Sequence, residues 1–499
     1  MEQFVNGFVA SLSLVNLAAC FLGVLIGTIV GVLPGLGPAA TMALCLPITF
    51  KYGAATGIIM LTGIWFGAQY GGSTTSILVN IPGEATSVVT CLDGYQMAKK
   101  GRAGAALAIV AIGSFFAGTI GILGLQVFAP ILGRVALAFG PPEYLSFMTL
   151  AFVLLSNLGT QSPIRSLMML GLGLWLSMIG LSALDGKPRF TFGSDNLLLG
   201  VDYLPIIMGT FGMAEILNIS VQAYVAPVMK KVRFRELYPN KEEAKRSILP
   251  VIRGSIVGFF MGLIPGPCGL VSTYIAYAVE KRFSKTPEKF GTGMVEGVAS
   301  PESANNSSVM GAMIPFLTLG IAFSAPSAIL LAALRMHNVE PGPLLFQNNS
   351  DLFWTLIAAM YLGNIMLLIL NLPLVGIFAR IAVVRPKVLM PVISILCLVG
   401  VYSVRNSFID VWVMIISGVI GYFFLKWRYP LIPLVIGIIL GPTTESNLRK
   451  SLMMFRGDVS LFFGRPIATV FFLVSVGFVI WRVWVYYRGR SSVKELIAS

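Results

Sequence analysis

Apolar segments of membrane-spanning length recur along the whole chain, and short polar segments separate them. Several reach or approach the roughly 20 residues that a helix needs to cross the hydrocarbon core of a bilayer. Examples are Leu12–Val32, Ala105–Leu132, Leu356–Leu372 and Ile467–Val485. When the longest segments are split at glycine and proline, the pattern predicts about 12 transmembrane helices and leaves little sequence for a soluble domain. We therefore expect an all-α integral membrane protein.

Glycine and proline interrupt the apolar segments at related places in two halves of the chain. Gly31–Pro38 in the first half corresponds to Gly262–Gly269 in the second, at an offset of 231 residues. In both halves a segment rich in hydroxyl and amide side chains then precedes a second interruption. The polar segments and their interruptions are Tyr70–Ser76 with Asn80–Glu84, and Ser300–Ser308 with Gly320–Ser324. This recurrence predicts two repeats that contain discontinuous helices.

Basic residues accumulate in different loops of the two halves. After the first interruption, the first half has only Lys51, whereas the second half has four basic residues between Lys281 and Lys289. After the second interruption the bias reverses, with Lys99, Lys100 and Arg102 in the first half and only Arg335 in the second. Because Lys and Arg mark cytoplasmic loops, corresponding loops are predicted to lie on opposite sides of the membrane, as in inverted-topology repeats.

The longest polar segment, Lys230–Arg246, divides the chain nearly in half and holds seven basic residues. Its charge predicts a cytoplasmic linker. The predicted organisation is a first transmembrane half (1–229), a basic cytoplasmic linker (230–247), a second transmembrane half (248–487) and a basic C-terminal tail (488–499).

Composition supports the membrane class, since 56% of the 499 residues are hydrophobic and only 11% are charged, against about a quarter in soluble proteins. The net charge of +14 lies in short loops and at the C-terminus. This distribution indicates membrane orientation rather than binding of nucleic acid. Met1–Asn16 carries Glu2 and no Lys or Arg, so it lacks the basic region of a cleaved signal peptide, and we expect the first helix to be retained.

Enzyme chemistry is poorly supported by the reactive side chains. The five cysteines are scattered without metal-ligand spacing, and His337 is the single histidine. A histidine-based triad or a multi-histidine metal site is therefore hard to build. We expect no enzyme activity and no bound cofactor, and an intramembrane enzyme is the weakest alternative.

The interruptions are candidate ligand sites because glycine and proline break helices and free backbone groups. Freed groups inside a bilayer are tolerated where they are buried in protein or line a wet cavity. Helix N-termini suit carboxylates, and carbonyl, hydroxyl and amide oxygens suit a hard cation such as Na⁺. The alternative is close helix packing for the glycines and interhelical hydrogen bonding for the polar segments.

Few acidic residues lie near these segments: Glu84, Asp93, Glu215, Glu302 and Glu445. An acid at membrane depth is costly and hence a functional candidate. Glu302 is the best of them because it lies inside a polar segment, although an acid near a helix N-terminus is also favoured by the helix dipole. An anionic substrate would have to be held by backbone N–H groups, hydroxyls and amides, since no Lys or Arg lies clearly within a span near the motifs.

At the level of whole motifs, the chain resembles the large membrane subunit of the tripartite tricarboxylate transporters over nearly its full length. The matching stretches, in order, are GTIVGVLPGLGPAATMALCLPITF, YGGSTTSILVNIPGE with LDGYQMAKKGR after it, RFTFGSDNLLLG, EGVASPESANNSSVMGAMIPFLTLGI and GPTTESNLRKSL. Five such stretches in one order are specific.

The resemblance implies a secondary transporter of the bacterial inner membrane that takes up a carboxylate with Na⁺ or H⁺. It further implies two protein partners, a small membrane subunit of four spans and a periplasmic substrate-binding protein. The chain itself is expected to be surrounded by membrane lipid. The site residues that it implies are Pro34, Gly35, Gly37, Tyr70, Gly71, Gly72, Ser73, Thr74, Pro82, Gly83, Pro265, Gly266, Glu302, Asn305 and Asn306. Asn80 and Ser307 join this set because they lie in the same interrupted and polar segments.

The chain departs from the family pattern at two places. Ala322 and Phe323 stand where the family usually has Pro-Gly, and Pro267 and Cys268 follow Gly266 where Ala-Gly is usual. Both departures lie where ligand contacts are expected, which leaves open an altered substrate specificity. The alternatives are the large subunit of the other tripartite, dicarboxylate-type transporter class and an ion or solute channel with Gly-rich re-entrant segments.

Overall fold

A computed structural model describes residues 2–33, 37–157, 162–182, 186–221, 238–264, 268–381 and 386–498. About 81% of the chain is helical. The strands in the described residues, Gly180–Leu181 and Pro188–Arg189, form one short antiparallel hairpin. The predicted all-α class is therefore confirmed.

The α-helices have bounds that largely follow the apolar segments. In chain order they are α1 (Glu2–Ser11), α2 (Leu14–Val32), α3 (Pro38–Phe50), α4 (Ala54–Val79), α5 (Thr90–Lys99), α6 (Ala103–Ala136), α7 (Pro141–Asn157), α8 (Pro163–Ser177), α9 (Tyr203–Ile207), α10 (Ala214–Val221), α11 (Lys241–Gly262), α12 (Cys268–Phe283), α13 (Glu296–Leu319), α14 (Ala325–Met336), α15 (Leu345–Asn348), α16 (Ser350–Asn371), α17 (Val375–Ile381), α18 (Pro386–Arg405), α19 (Phe408–Lys426), α20 (Leu431–Met454) and α21 (Pro466–Ala498). Short 3₁₀ helices cover Ala85–Val88, Asp195–Leu197, Pro287–Lys289 and Val459–Gly464, and Met208–Met213 is π-helical.

Within the described residues, five helices are long and apolar enough to cross a membrane: α2, α6, α16, α19 and α20. They include three of the apolar segments named above, and the fourth lies in α21. The larger predicted number of about 12 spans stays a prediction. Helices such as α4 and α13 are long, but their polar segments lower the mean hydropathy.

By its internal contacts the chain divides into two compact units. Unit 1 comprises Met1–Arg134 and Leu204–Trp427, and unit 2 comprises Val135–Tyr203 and Arg428–Ser499. Each unit therefore takes residues from both sides of the central linker. The predicted segments 1–229, 230–247, 248–487 and 488–499 stay predictions, and residues 230–237 of the linker lie outside the described residues.

Glycine spacing explains how two helix pairs of unit 1 pack. In each pair, every fourth residue of one helix is a glycine against a backbone carbonyl oxygen of the other, where a methyl group would overlap that oxygen. The contacts between α2 and α4 are Gly23 with Met60, Gly27 with Ile64 and Gly31 with Ala68; those between α11 and α13 are Gly254 with Ser300, Gly258 with Ala304 and Gly262 with Ser308. The glycines repeat at the predicted offset of 231 residues, and their partners repeat at 240. Small residues at this spacing let helices approach closely.

The first interruptions separate α2 from α3 and α11 from α12. Their residues Pro34, Gly35, Pro265 and Gly266 lie outside the described residues. The helices on either side end and begin where the sequence predicts, since α2 ends at Val32 and α11 at Gly262.

The second interruptions are confirmed as helix ends. Asn80 after α4 and Gly320 after α13 both adopt the left-handed conformation, with φ of 58° and 70°. The next helical turn begins at Glu84 in one half and at Ser324 in the other. The backbone N–H of each donates to the serine three residues later, at 3.4 and 3.0 Å. These corresponding residues again lie 240 positions apart.

The loops predicted to be cytoplasmic meet at one end of unit 1. Arg102, just after α5, pairs with Glu243 of the central linker. Arg246 pairs with Glu296 at 2.8 Å, at the start of α13. Asp93 of α5 accepts hydrogen bonds from the loop that precedes α13, as described below. Because these loops meet at one end of unit 1, they are expected to lie on the same side of the membrane. That this side is the cytoplasm stays a prediction.

Candidate functional site

Helices α4 and α13 are buried over almost their entire lengths, although both carry polar segments. Every residue from Gly57 to Leu78 is buried in α4, as is every residue from Gly297 to Gly311 in α13. Buried polar groups have to be hydrogen-bonded, because an unpartnered one costs free energy. The partners of these side chains therefore identify which of them form a site and which hold helices together.

Glu302 lies at the centre of the buried polar groups. Its side chain comes from α13, and one carboxylate oxygen accepts from Ser73 Oγ of α4 and from Asn305 Nδ2 at 3.3 Å. The other oxygen accepts from Thr90 Oγ1 of α5 at 2.7 Å. The residue is 1% exposed. One carboxylate thus joins the polar segments of both halves of the chain.

The described partners of Glu302 are all neutral. The arginines of α11 pair with other acids, Arg246 with Glu296 and Arg253 with Glu280 at 2.5 Å. A buried carboxylate without a basic partner is strongly destabilised unless it binds a proton or a cation. The site is therefore suited chemically to a small positive ion.

Asn305 supplies a further oxygen beside this carboxylate. Its Nδ2 donates to Glu302, while its Oδ1 is buried and has no hydrogen-bond partner among the described residues. Amide carbonyl oxygens are ligands of hard cations. An unpartnered acceptor next to a buried carboxylate is the arrangement that a bound cation would complete.

Glu84 forms a second carboxylate on the same face of α4. Its Oε1 accepts from Gln69 Nε2 at 3.3 Å and its Oε2 from Thr86 Oγ1 at 3.1 Å. Thr86 also lies 2.9 Å from Gln69 Oε1. Gln69 and Ser73 are one helical turn apart, about 5–6 Å between Cβ atoms, so the two carboxylates contact neighbouring positions of one helix.

The N-terminal turn of α12 closes this region. Gly269 lies against Thr86, where a methyl group would come within 2.8 Å of Thr86 Cγ2 and 3.6 Å of Ser308 Oγ. Backbone N–H groups at a helix N-terminus have no intrahelical partner, and the helix dipole favours negative charge there. The region therefore combines two carboxylates, which suit cations, with the N-terminus of α12, which suits an anion.

Three other predicted site residues, Tyr70, Asn306 and Ser307, make hydrogen bonds between helices, and their part in ligand binding stays a prediction. Tyr70 Oη donates to Asn364 of α16 at 2.8 Å, and Ser307 Oγ donates to the Ser255 carbonyl of α11 at 2.7 Å. Asn306 Nδ2 donates to Ser114 Oγ of α6 at 2.8 Å. These contacts match the interhelical alternative weighed above.

The remaining predicted residues of the described structure lie within α4, in the turn after it, or at the N-cap of α3. Gly71 lies against the Thr28 carbonyl of α2, and Gly83 lies against α2 and Gly72. The other positions are Gly37 at the N-cap of α3, Thr74 buried in α4, Asn80 exposed at the C-cap of α4, and Pro82 partly buried in the turn that follows.

Two other acidic candidates have structural partners. Glu445, in unit 2, pairs with Arg189 at 2.6 Å and with Arg449 at 2.8 Å. Asp93 accepts from the backbone N–H groups of Gly291, Gly293 and Met294 at 2.7–3.0 Å and from Tyr277 Oη at 2.9 Å. Neither side chain contacts Glu302.

Three contacting residues were not predicted: Gln69, Thr86 and Thr90. Gln69 had a usable signal, because it lies four residues before Ser73 and hence on the same helical face. Thr86 and Thr90 follow the second interruption, and their role depends on how the chain folds back against α4 and α13, which their spacing does not reveal.

A helical chain with several membrane-length apolar helices and a buried polar site at broken helices defines a multi-pass membrane protein of the transporter class. The family model for the tripartite tricarboxylate transporter TctA family matches residues 17–436. The chain belongs to that family. This is the family whose motifs it resembles, in preference to the dicarboxylate-type class.

Two relatives from Agrobacterium vitis extend the comparison. An uncharacterized 52.8 kDa protein in the TAR-I ttuC' 3' region is 43% identical over 475 residues, which is 95% of this chain and 94% of the relative. An uncharacterized protein in the TAR-II ttuC' 3' region is 39% identical over 211 residues, 42% of this chain and 87% of the relative. No solved structure matches the chain.

Proposed function

We propose that this chain is the large, transport-competent membrane subunit of a tripartite secondary transporter in the bacterial inner membrane. It works with a small four-span membrane subunit and a periplasmic substrate-binding protein, and it takes up tricarboxylates or related carboxylates. Family membership supports the class. The observation that carries the site is Glu302, which accepts hydrogen bonds from Ser73 and Thr90 of the other half.

Uptake is driven by symport of Na⁺ or H⁺ at this site. A buried carboxylate with neutral donors and an unpartnered amide oxygen supports a positive ion as ligand. The substrate carboxylates bind nearby through hydroxyls and the N–H groups of α12. Because the coupling ion and the substrate bind in one region, they cross the membrane together.

The two halves act as inverted-topology repeats. The glycine contacts of α2 with α4 and of α11 with α13, and the matching helix ends at Asn80 and Gly320, support a repeated unit. Opposite charge bias in matching loops supports the inversion. Inverted repeats bring their broken helices together near the bilayer midplane, where alternating access exposes them to each side in turn.

Reconstitution tests the proposal. Radiolabelled citrate uptake is measured in proteoliposomes that contain this chain alone, both membrane subunits, or both subunits with the binding protein. We expect efficient uptake only in the complete system, and slower but measurable uptake there with Glu302→Gln. Equal uptake by the chain alone would refute the tripartite assignment.

A further inference from the structure

The two carboxylates beside α4 come from different halves and lie close together. Glu302 of α13 accepts from Ser73, and Glu84 accepts from Gln69, one turn earlier on the same helix face. Ser73 Oγ also lies 3.4 Å from the Gln69 carbonyl oxygen. A single helical turn therefore connects the two acids.

No basic side chain of the described structure is paired with either acid. Glu84, Tyr70 and Cys91 lie within electrostatic range of Glu302, and none of them carries a positive charge. The arginines of α11 are engaged with Glu296 and Glu280. The like charges of buried Glu302 and partly buried Glu84 repel each other, and both repel an anionic substrate.

Each carboxylate has its own oxygen-rich surroundings. Glu302 has Thr90 Oγ1 and the buried, unpartnered Asn305 Oδ1 nearby. Glu84 has Thr86 Oγ1 and Gln69 Oε1. These are the neutral oxygen ligands that complete the coordination of a hard monovalent cation around one carboxylate.

From this arrangement we infer that the site binds two monovalent cations, one at Glu84 and one at Glu302, before it accepts a carboxylate substrate. The inference rests on the proposed symport function. Each cation neutralises one of the two acids. An anion can therefore approach the N-terminus of α12 only when both acids have bound a cation. Every substrate molecule is then carried with two positive charges, supplied by Na⁺ or by H⁺.

Linkage between citrate and cation binding tests the number of cations. Apparent citrate affinity is measured in the complete reconstituted system against Na⁺ concentration at fixed pH, and against pH at fixed Na⁺. On logarithmic axes, each cation taken up with citrate contributes a slope of about 1. We expect the two slopes to sum to about 2 in the native protein and to about 1 in Glu84→Gln and in Glu302→Gln. The Na⁺ and pH series identify which cation is used.

Two variants control for indirect effects. Glu215→Gln removes an acid of α10 outside the site, and the summed slope should stay at about 2. Asn305→Ala removes a neutral ligand, so the cation affinity should fall about tenfold while the summed slope is unchanged. A summed slope of about 1 in the native protein, or of about 2 in either carboxylate variant, overturns the inference.

Direct binding separates this inference from the proposed function. If the complete system carries no citrate, the tricarboxylate assignment fails, and equilibrium binding of ²²Na⁺ to the two purified membrane subunits decides the cation number. Two ions per large subunit, reduced to one by each carboxylate variant, supports the pair of sites. Fewer than two cations per native large subunit overturns it, when bound ²²Na⁺ is counted together with protons whose uptake is lost in Glu84→Gln or Glu302→Gln.

Discussion

At the scale of single residues, the polar segments of the two helices have different tasks in neighbouring positions. Glu302 of α13 accepts hydrogen bonds from α4, α5 and its neighbour Asn305, whereas Asn306 and Ser307 bind other helices. Successive residues of a helix point about 100° apart, so one segment serves both a ligand site and helix packing. The two uses predict different effects of substitution.

Ser73→Ala should weaken the apparent affinity for citrate or for the coupling ion by roughly 10- to 100-fold. The substitution removes a hydrogen bond to a charged group, worth about 1.5–3 kcal/mol. Asn306→Ala is the matched comparison. Its amide binds Ser114, so it should lower the thermal midpoint of the purified protein and leave both affinities within about twofold. Unaltered affinities in Ser73→Ala for citrate, Na⁺ and H⁺ would show that the contact to Glu302 has no part in binding.

Asp93→Ala should destabilise the protein by about 1–3 kcal/mol. The substitution leaves the backbone N–H of buried Met294 without its acceptor, and a buried unpaired group costs about 1–3 kcal/mol, whereas the N–H groups of exposed Gly291 and partly buried Gly293 can bind water instead. The thermal midpoint in detergent measures the effect. Asp93→Asn keeps one acceptor oxygen, so its thermal midpoint should fall less than that of Asp93→Ala. Equal midpoints for Asp93→Ala and the native protein would contradict the structural role of Asp93.

The sequence could identify Glu302 and Ser73 because an acid and hydroxyls inside apolar segments are costly unless they have a function. It could not identify Thr90, whose partner Glu302 is 212 residues away. The sequence also could not separate Asn305 from Asn306. That distinction depends on the rotation of α13 about its axis, which neighbouring helices determine.

At the scale of elements, the glycine spacing of α2 and α11 determines how closely each packs on its partner. The helices that flank these contacts were predicted from apolar length, and the 231-residue offset was visible in the first interruptions. The 240-residue offset of α4 and α13 was not, because their polar segments occupy different turns. The correspondence between α4 and α13 is therefore visible in the backbone contacts that each makes with its glycine-bearing partner helix. It is not visible in the side chains of the two helices.

Gly27→Ala and Gly258→Ala should each destabilise the protein by about 1–3 kcal/mol, because a methyl group overlaps a carbonyl oxygen of the partner helix. Gly171→Ala in α8 is the control, since nothing lies within 4 Å of its added methyl group. Alanine favours helix over glycine, so the control should be neutral or stabilising. Thermal midpoints of the three variants measure the difference; equal shifts in all three would argue against close packing.

The second interruption of the second half persists without the Pro-Gly pair that the family usually has. Gly320 adopts the left-handed conformation that ends α13, and Ser324 and Pro326 begin α14. A C-terminal glycine and an N-terminal serine with proline are sufficient helix-end signals. Ala322 and Phe323 therefore alter the side chains of the turn and keep the turn itself.

At the scale of the whole molecule, the topology predicts that the loops around Lys99, Lys241 and Lys285 are cytoplasmic. Single cysteines at Gln96 and Pro287, in a variant without the five native cysteines, should resist a membrane-impermeant thiol reagent in intact cells. A cysteine at Lys51, in the loop predicted to face outward, should react. Labelling of either of the first two sites from outside would require a different orientation.

The hydrogen bonds of Asp93 also have a consequence for synthesis of the chain. The acid lies 198 residues before Gly291, the first of its backbone donors. At about 5–20 residues per second, the ribosome needs roughly 10–40 s to translate that interval. Until Gly291 has been translated, the carboxylate of α5 lacks those donors. The native surroundings of Asp93 therefore cannot form before synthesis of the second half is under way.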